Sequence, residues 1–189
     1  MQVRLLLGAF LIAMRKRHIQ YMQEALKEAQ KAFDEDEVPV GAVIVYKDRI
    51  ISRGHNQVER LKDPTAHAEM IAITGATNYL NTKWLNAVSL YVTIEPCSMC
   101  AGALVLARIK NLYFAAKDPK TGACGSITNI ANHKKLNHRI KVKSGILKEE
   151  CSFLLREFFS RIRSSRRAGS RVLSDSLAGK KKRFNKSTK

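Results

Sequence analysis

One imidazole and two thiols in this 189-residue chain stand at spacings that suit a metal ion: His67-Ala68-Glu69 is answered about thirty residues later by Pro96-Cys97-Ser98-Met99-Cys100. Cys97 and Cys100 are three apart, so both sulfurs point the same way from the first turn of a helix, whose N-terminus favours their thiolate forms. His67 has to arrive from another element. Three protein donors leave the fourth tetrahedral position of zinc to water, whereas a structural site is closed by a fourth protein ligand. Cys124, His133 and His138 are the candidates for that closure. In the open arrangement, the water ionises near neutral pH and becomes a nucleophile. Glu69, two residues past His67, is placed to take a proton from it and hand it on.

Either half of the pattern alone is weak. H-x-E recurs by chance, and an isolated C-x-x-C is equally a redox pair or a closed zinc site. In this order, with Pro96 before the pair, the two halves form the H-x-E and P-C-x-x-C signature of zinc nucleobase deaminases. The expected site is therefore zinc held by His67, Cys97 and Cys100, with Glu69 carrying protons.

The elements that must position these residues are legible from periodicity. Ile19, Met22, Leu26, Ala29 and Phe33 recur every three to four residues, an amphipathic helix over 18–36 that ends in an acidic cluster. Val38 to Tyr46 reads as a strand, Lys47-Asp48-Arg49 as a turn and Ile50 to Arg53 as the returning strand of a hairpin. The mostly apolar first strand implies helices on both faces. Asp63-Pro64 reads as the cap and first residue of a helix running to about Tyr79, with His67 and Glu69 near its start. Ala87 to Glu95 is a strand, and Pro96 opens a helix through Cys97 and Cys100 to about Ala107. Asn111 to Ala116 is a further strand after a parallel crossover. Lys141-Val142-Lys143 is a short edge strand, and the stripe Leu147, Cys151, Leu154, Leu155, Phe158, Phe159, Ile162 marks a late helix in which Cys151 packs rather than reacts. The fold class is α/β, with a mixed sheet between helix layers.

The net charge is +18, and its distribution is informative. From Arg161 to Lys189 there are eleven Lys or Arg against the single acid Asp175, yet the remainder of the chain is basic too. A basic body with a denser basic tail suggests a polyanionic partner, most simply nucleic acid. Residues 164–189, rich in Ser, Gly, Arg and Lys, read as a disordered tail. Four cysteines are too few for a disulfide scaffold and fit a reducing cytoplasm. The apolar run at residues 5–13 is too short to span a bilayer, and it lacks the cleavage site of a signal peptide. Residues 1–17 thus read as an extension upstream of a start at Met14, or as a short segment packing on the body.

Over about His18 to Arg163 the chain resembles the bacterial tRNA-specific adenosine deaminases, within the cytidine deaminase-like fold. The resemblance rests on Val38-Pro39-Val40-Gly41-Ala42-Val43, Gly54-His55-Asn56, Asp63 through Glu69, Glu95-Pro96-Cys97, Cys100 through Ala103, Lys120 through Ser126 and Asn137-His138-Arg139. It implies a three-layer helix-sheet-helix deaminase domain at 18–163, and a homodimer that converts adenosine to inosine at the wobble position of tRNA anticodons. It further implies that Asn56 hydrogen-bonds the flipped base and that the Ala68 amide contacts it. Read from the residue alone, Asn56 is equally a turn residue after a strand. A paired base cannot enter such a pocket, so the substrate nucleotide must be unpaired or flipped. Two other functions compete: a deaminase of a free base or nucleoside, which needs no basic surface, and a zinc-stabilised RNA-binding module in which Glu69 is incidental.

Overall fold

The computed structural model describes the backbone of residues 2–165 and the side chains of residues 12–165. Helix α1 (Gln2–Asp34) packs over a hairpin of β1 (Gly41–Tyr46) and β2 (Arg49–His55). A short α2 (Val58–Leu61) leads to α3 (Ala68–Leu80), then β3 (Ser89–Ile94), α4 (Ser98–Leu106), β4 (Asn111–Ala116) and β5 (Lys141–Ser144). A last helix, α5, covers residues 148–165. The strands form one sheet in the order β2-β1-β3-β4-β5, antiparallel across the first three and parallel across the last three. This is the mixed sheet expected.

Alternation along each strand sends side chains to two cores. Val43, Val45, Tyr91 and Tyr113 meet Met22 and Ala25 of α1, and Cys151 joins them as packing. Ala42, Ile44, Leu90, Val92, Leu112 and Phe114 meet Ala68, Ala72, Ala101 and Leu104 of α3 and α4 on the other face. Full burial of a side chain such as Leu90 or Leu104 contributes about 1.5–3 kcal/mol. β1 is buried along almost its whole length, as a strand covered on both faces must be.

Several boundaries differ from expectation for local reasons. α1 does not begin at His18: its backbone is helical from Gln2, through residues that read as a separate segment, and apart from Gly8 that stretch holds no strong helix breaker. β1 starts at Gly41 rather than Val38, because Pro39 has no amide to donate and the Val40 amide instead closes onto the Val38 carbonyl at 2.7 Å. The hairpin turns on Lys47 and Asp48 alone, both at positive φ (46° and 60°), the handedness that matches strand twist. Asp63 does not cap α3. Its Oδ1 accepts from the Thr65 amide at 2.8 Å and the Thr65 hydroxyl at 2.7 Å, forming a turn that delays the helix to Ala68.

The chain divides into two compact units, Met1–Leu154 and Leu155–Lys189. Of the second, residues 155–165 are described and are helical, with the Phe158 and Phe159 rings edge-on at 5.5 Å. Helix therefore continues through Ser164 and Ser165, which by composition belong to the tail, while the disorder expected beyond them concerns residues 166–189, outside the described residues. Among the described residues no helix is long and apolar enough to cross a membrane.

Candidate metal centre and catalytic site

His67 is the N-cap residue of α3 and Cys97 that of α4, so Cys97 stands just before the helix rather than in its first turn, and Cys100 follows inside that turn. Neither side chain makes a capping hydrogen bond to its own helix. Both are free to face the space where the helix N-termini converge at the carboxyl ends of the strands. Gly54 allows the approach, because a Cβ there would lie 2.4 Å from the Ala68 carbonyl oxygen at the head of α3.

His67 Nδ1 lies 3.8 Å from Cys97 Sγ and 3.5 Å from Cys100 Sγ, and the three donor atoms fall within 4.8 Å of one another. With Zn–S near 2.3 Å and Zn–N near 2.0–2.1 Å, tetrahedral geometry asks for an N···S separation of about 3.6 Å. The two N···S separations match that geometry. Hydrogen bonds from the Cys100 thiol and the His67 ring hold the Cys97 thiol down at about 4, and the same bond, with burial, pushes Cys100 up. One donor is thus already poised as thiolate, the form a metal requires.

The residues considered for closing the site stand elsewhere. Cys124 is outside the donor group and its thiol is pushed up to about 12 by burial. His138 commits Nε2 to the Ile109 carbonyl at 2.7 Å, and His133 Nδ1 lies 3.3 Å from the Lys135 amide. Among the described residues only three protein donors gather, which is the open arrangement.

Glu69 lies in the first turn of α3, 3% exposed, with its carboxyl pushed up by burial. A carboxyl raised in this way is better matched to proton transfer near neutral pH than a solvated one. Ala68, fully buried, begins α3, where the first amides have no partner within the helix. Asn56 follows β2 and is buried, its amide donating to the Val40 carbonyl at 3.0 Å and its Nδ2 to Glu37 Oε2 at 3.1 Å.

Two buried carboxylates that support this site receive no role from the sequence alone. Glu37, which in the sequence is only part of an acidic cluster, also accepts the amides of Glu59 and Arg60 at 3.1 and 2.7 Å. Glu95 accepts the amides of Asp118, Cys124 and Ser126 at 3.2, 2.9 and 3.0 Å and the Ser126 hydroxyl. The loop 118–126 is thereby tied to the strand end that carries Cys97, an attachment completed by the Ala123 amide on the Pro96 carbonyl at 2.9 Å. Gly122 is needed there, since a Cβ would meet Glu95 Cδ at 2.6 Å and the Asp118 carbonyl oxygen at 2.5 Å. The available signal was an acid beside a proline at a strand end, which is too common to single out.

The chain matches the MafB19-like deaminase family over residues 16–163. It is 53% identical over 145 residues to the tRNA-specific adenosine deaminase of Aquifex aeolicus, covering 77% of this chain and 95% of that protein. A solved structure described as a tRNA:A34 deaminase that edits A to I at the wobble position of transfer RNA superposes with a TM-score of 0.70 at 43% identity, covering 72% of this chain and 99% of that one. A guanine deaminase from Nitrosomonas europaea superposes with a TM-score of 0.64 at 25% identity, covering 74% of this chain and 83% of that one.

Proposed function

The chain belongs to the tRNA-specific adenosine deaminase family, and we propose that it hydrolyses adenosine to inosine at the wobble position of tRNA anticodons. The observation that carries this reading is the placement of a buried proton carrier, Glu69, beside an open three-donor group on two converging helix N-termini. His67, Cys97 and Cys100 hold zinc, within a catalytic domain spanning 18–163. When bound, zinc supplies Lewis-acid activation of water at neutral pH.

The remaining work falls to the protein. Glu69 takes a proton from the attacking water and delivers it to ring N1 as C6 is attacked, then moves a second proton to the departing amine, so that ammonia leaves and the C6 oxygen stays. Asn56 fixes the flipped base by hydrogen bonding, and the Ala68 amide, lying between metal ligand and proton carrier in sequence, contacts it from the head of α3. The related guanine deaminase favours a free base as the rival substrate. The basic surface of this chain favours an RNA.

A second copy of the chain is the expected partner. Met99, Gly102, Ala103 and Leu106 line one side of α4 at helical spacing; none is buried, Leu106 is 72% exposed, and a Cβ at Gly102 would touch nothing within 4 Å. An apolar helix face with small residues at its centre suits a close symmetric contact. The four free cysteines fit a reducing, cytoplasmic setting. The decisive test is incubation with an unmodified anticodon stem-loop carrying a wobble adenosine, alongside free adenosine and guanine, with nucleoside analysis of products. Inosine in the RNA and no turnover of the free compounds is the expected result.

A further inference from the structure

β3 ends three residues before Cys97, and β3 and the strands parallel to it, β4 and β5, begin at the opposite end of the sheet, roughly 20 Å away at about 3.3 Å per residue. From Lys83 to Lys148 the chain has eleven Lys or Arg and two acids. Both acids, Glu95 and Asp118, follow the carboxyl ends of strands and are occupied by local hydrogen bonds. The strand-start end therefore keeps its cations unopposed. Lys110 stands before β4, its carbonyl accepting the Lys141 amide at 3.1 Å, and Lys141 and Lys143 share one face of β5. All three are exposed, and none has an ion-pair partner among the described residues. Glu149 and Glu150 line a cavity with Lys143 without pairing with it: Glu149 pairs with Lys148 at 3.5 Å, and Asp48 pairs with Arg17 at 2.6 Å.

An aromatic ring stands at the same strand-start end, on the segment that precedes β3. Trp84, 41% exposed, has the Arg108 guanidinium 4.2 Å from its ring centre and the Lys83 ammonium at 4.9 Å. A ring that protrudes from a core-forming loop loses hydrophobic stabilisation, and cation–π contact recovers only part of it. Lysines on an edge strand also discourage pairing with other chains. That role explains Lys141 and Lys143, but asks nothing of Lys83, Arg108 or Lys110 on neighbouring segments.

We propose that this surface, built on Trp84, Arg108, Lys110, Lys141 and Lys143, is a second RNA-binding site that engages the body of the substrate RNA while its loop occupies the metal site. The proposal rests on the RNA substrate assigned above. Cations supply phosphate contacts, and the Arg–Trp pair supplies a stacking platform of the kind that unpaired bases use. A lone flipped nucleotide cannot reach about 20 Å from the catalytic group; a folded tRNA can.

The test uses the full chain, with Lys110, Lys141 and Lys143 changed together to Glu and, in a milder version, to Gln, and separately Trp84→Leu. Affinity for a whole tRNA and for the isolated stem-loop is measured across a salt series, with single-turnover inosine formation on the stem-loop as the parallel readout. The Gln variant is expected to bind whole tRNA on the order of tenfold more weakly, and its salt slope to fall by about 0.9 for each duplex phosphate that the lysines no longer neutralise. Stem-loop deamination should be unchanged, and Trp84→Leu should weaken tRNA binding without altering the slope. Wild-type tRNA affinity and slope in the Lys variants, or equal losses on both RNAs, would overturn the second site. An unchanged tRNA affinity in Trp84→Leu would overturn the stacking platform. Absence of inosine with the wild-type chain on either RNA would instead overturn the function on which the proposal rests.

Discussion

Asn56 Nδ2 donates to Glu37 Oε2 at 3.1 Å, and this contact decides which end of the asparagine amide is left unengaged. Both Glu37 oxygens accept from N–H donors, so the amide nitrogen faces Glu37 and the Asn56 oxygen faces away. On the proposal that Asn56 holds the flipped base, the base would be offered an acceptor of fixed direction. Glu37 is 1% exposed and also holds two amides at the start of α2, so it positions Asn56 from within the fold. Glu37→Gln should lower kcat/KM through Asn56, because its amide group presents a donor where a donor already points. In a double-mutant cycle with Asn56→Ala the two losses should be strongly non-additive. Additive losses would make Glu37 a purely structural residue. Glu37→Ala, which leaves three donors without their acceptor, should destabilise the fold by about 1–3 kcal/mol in denaturant unfolding.

Glu69→Gln preserves size and some hydrogen bonding while removing proton transfer. The variant should retain metal and RNA affinity and lose about 10²–10⁴ in single-turnover rate. Half of the normal rate would move the proton-carrier role elsewhere. Because Glu69 is 3% exposed, a neutral Gln is expected to be tolerated there without loss of thermal stability.

Substituting His67, Cys97 or Cys100 with Ala should remove metal and activity together. Elemental analysis should find one zinc per chain in the wild type and little in each variant. Full zinc in Cys97→Ala would expel that residue from the site. Removing zinc with a chelator should also lower the unfolding temperature, since a ligand that binds only the folded state adds to its stability by mass action.

The donor set was legible because coordination chemistry restricts both residue type and spacing, and β4 and β5 lay close to their expected positions because each is bounded by a turn or a change of polarity. Other features escaped for identifiable reasons. Asp63-Pro64 carries a helix-start pattern, but the Asp63 carboxylate is engaged by Thr65, and helix and turn compete for the same side chain. Glu37 and Glu95 act through amides 19 to 31 residues away, and no local pattern records such a partner. The Lys110–Lys141 juxtaposition exists only once β5 pairs with β4.

Glu95 gives the last prediction, and it concerns pH. Burial alone would raise its carboxyl, but the bonds from the Ser126 hydroxyl and the amides of Ser126, Cys124 and Asp118 outweigh burial and leave it below the ordinary value of 4.5. A carboxyl depressed in the folded state stabilises that state at pH above the unfolded value, and the stabilisation is lost as pH falls through the folded one. In the wild-type chain, stability should therefore fall as pH drops below about 4.5. Glu95→Gln should be less stable at pH 7, having lost acceptors for buried amides, and its stability should decline less steeply across the acid range. Because the loop 118–126 is tied through Glu95 to the strand end that bears Cys97, the variant should also bind zinc more weakly at neutral pH. Denaturant unfolding at pH 7 and at two acid values, with zinc affinity measured by competition with a chelator, checks both effects. Parallel stability–pH curves for the two proteins would show that Glu95 titrates alike folded and unfolded, and unaltered zinc affinity would separate the loop from the metal centre.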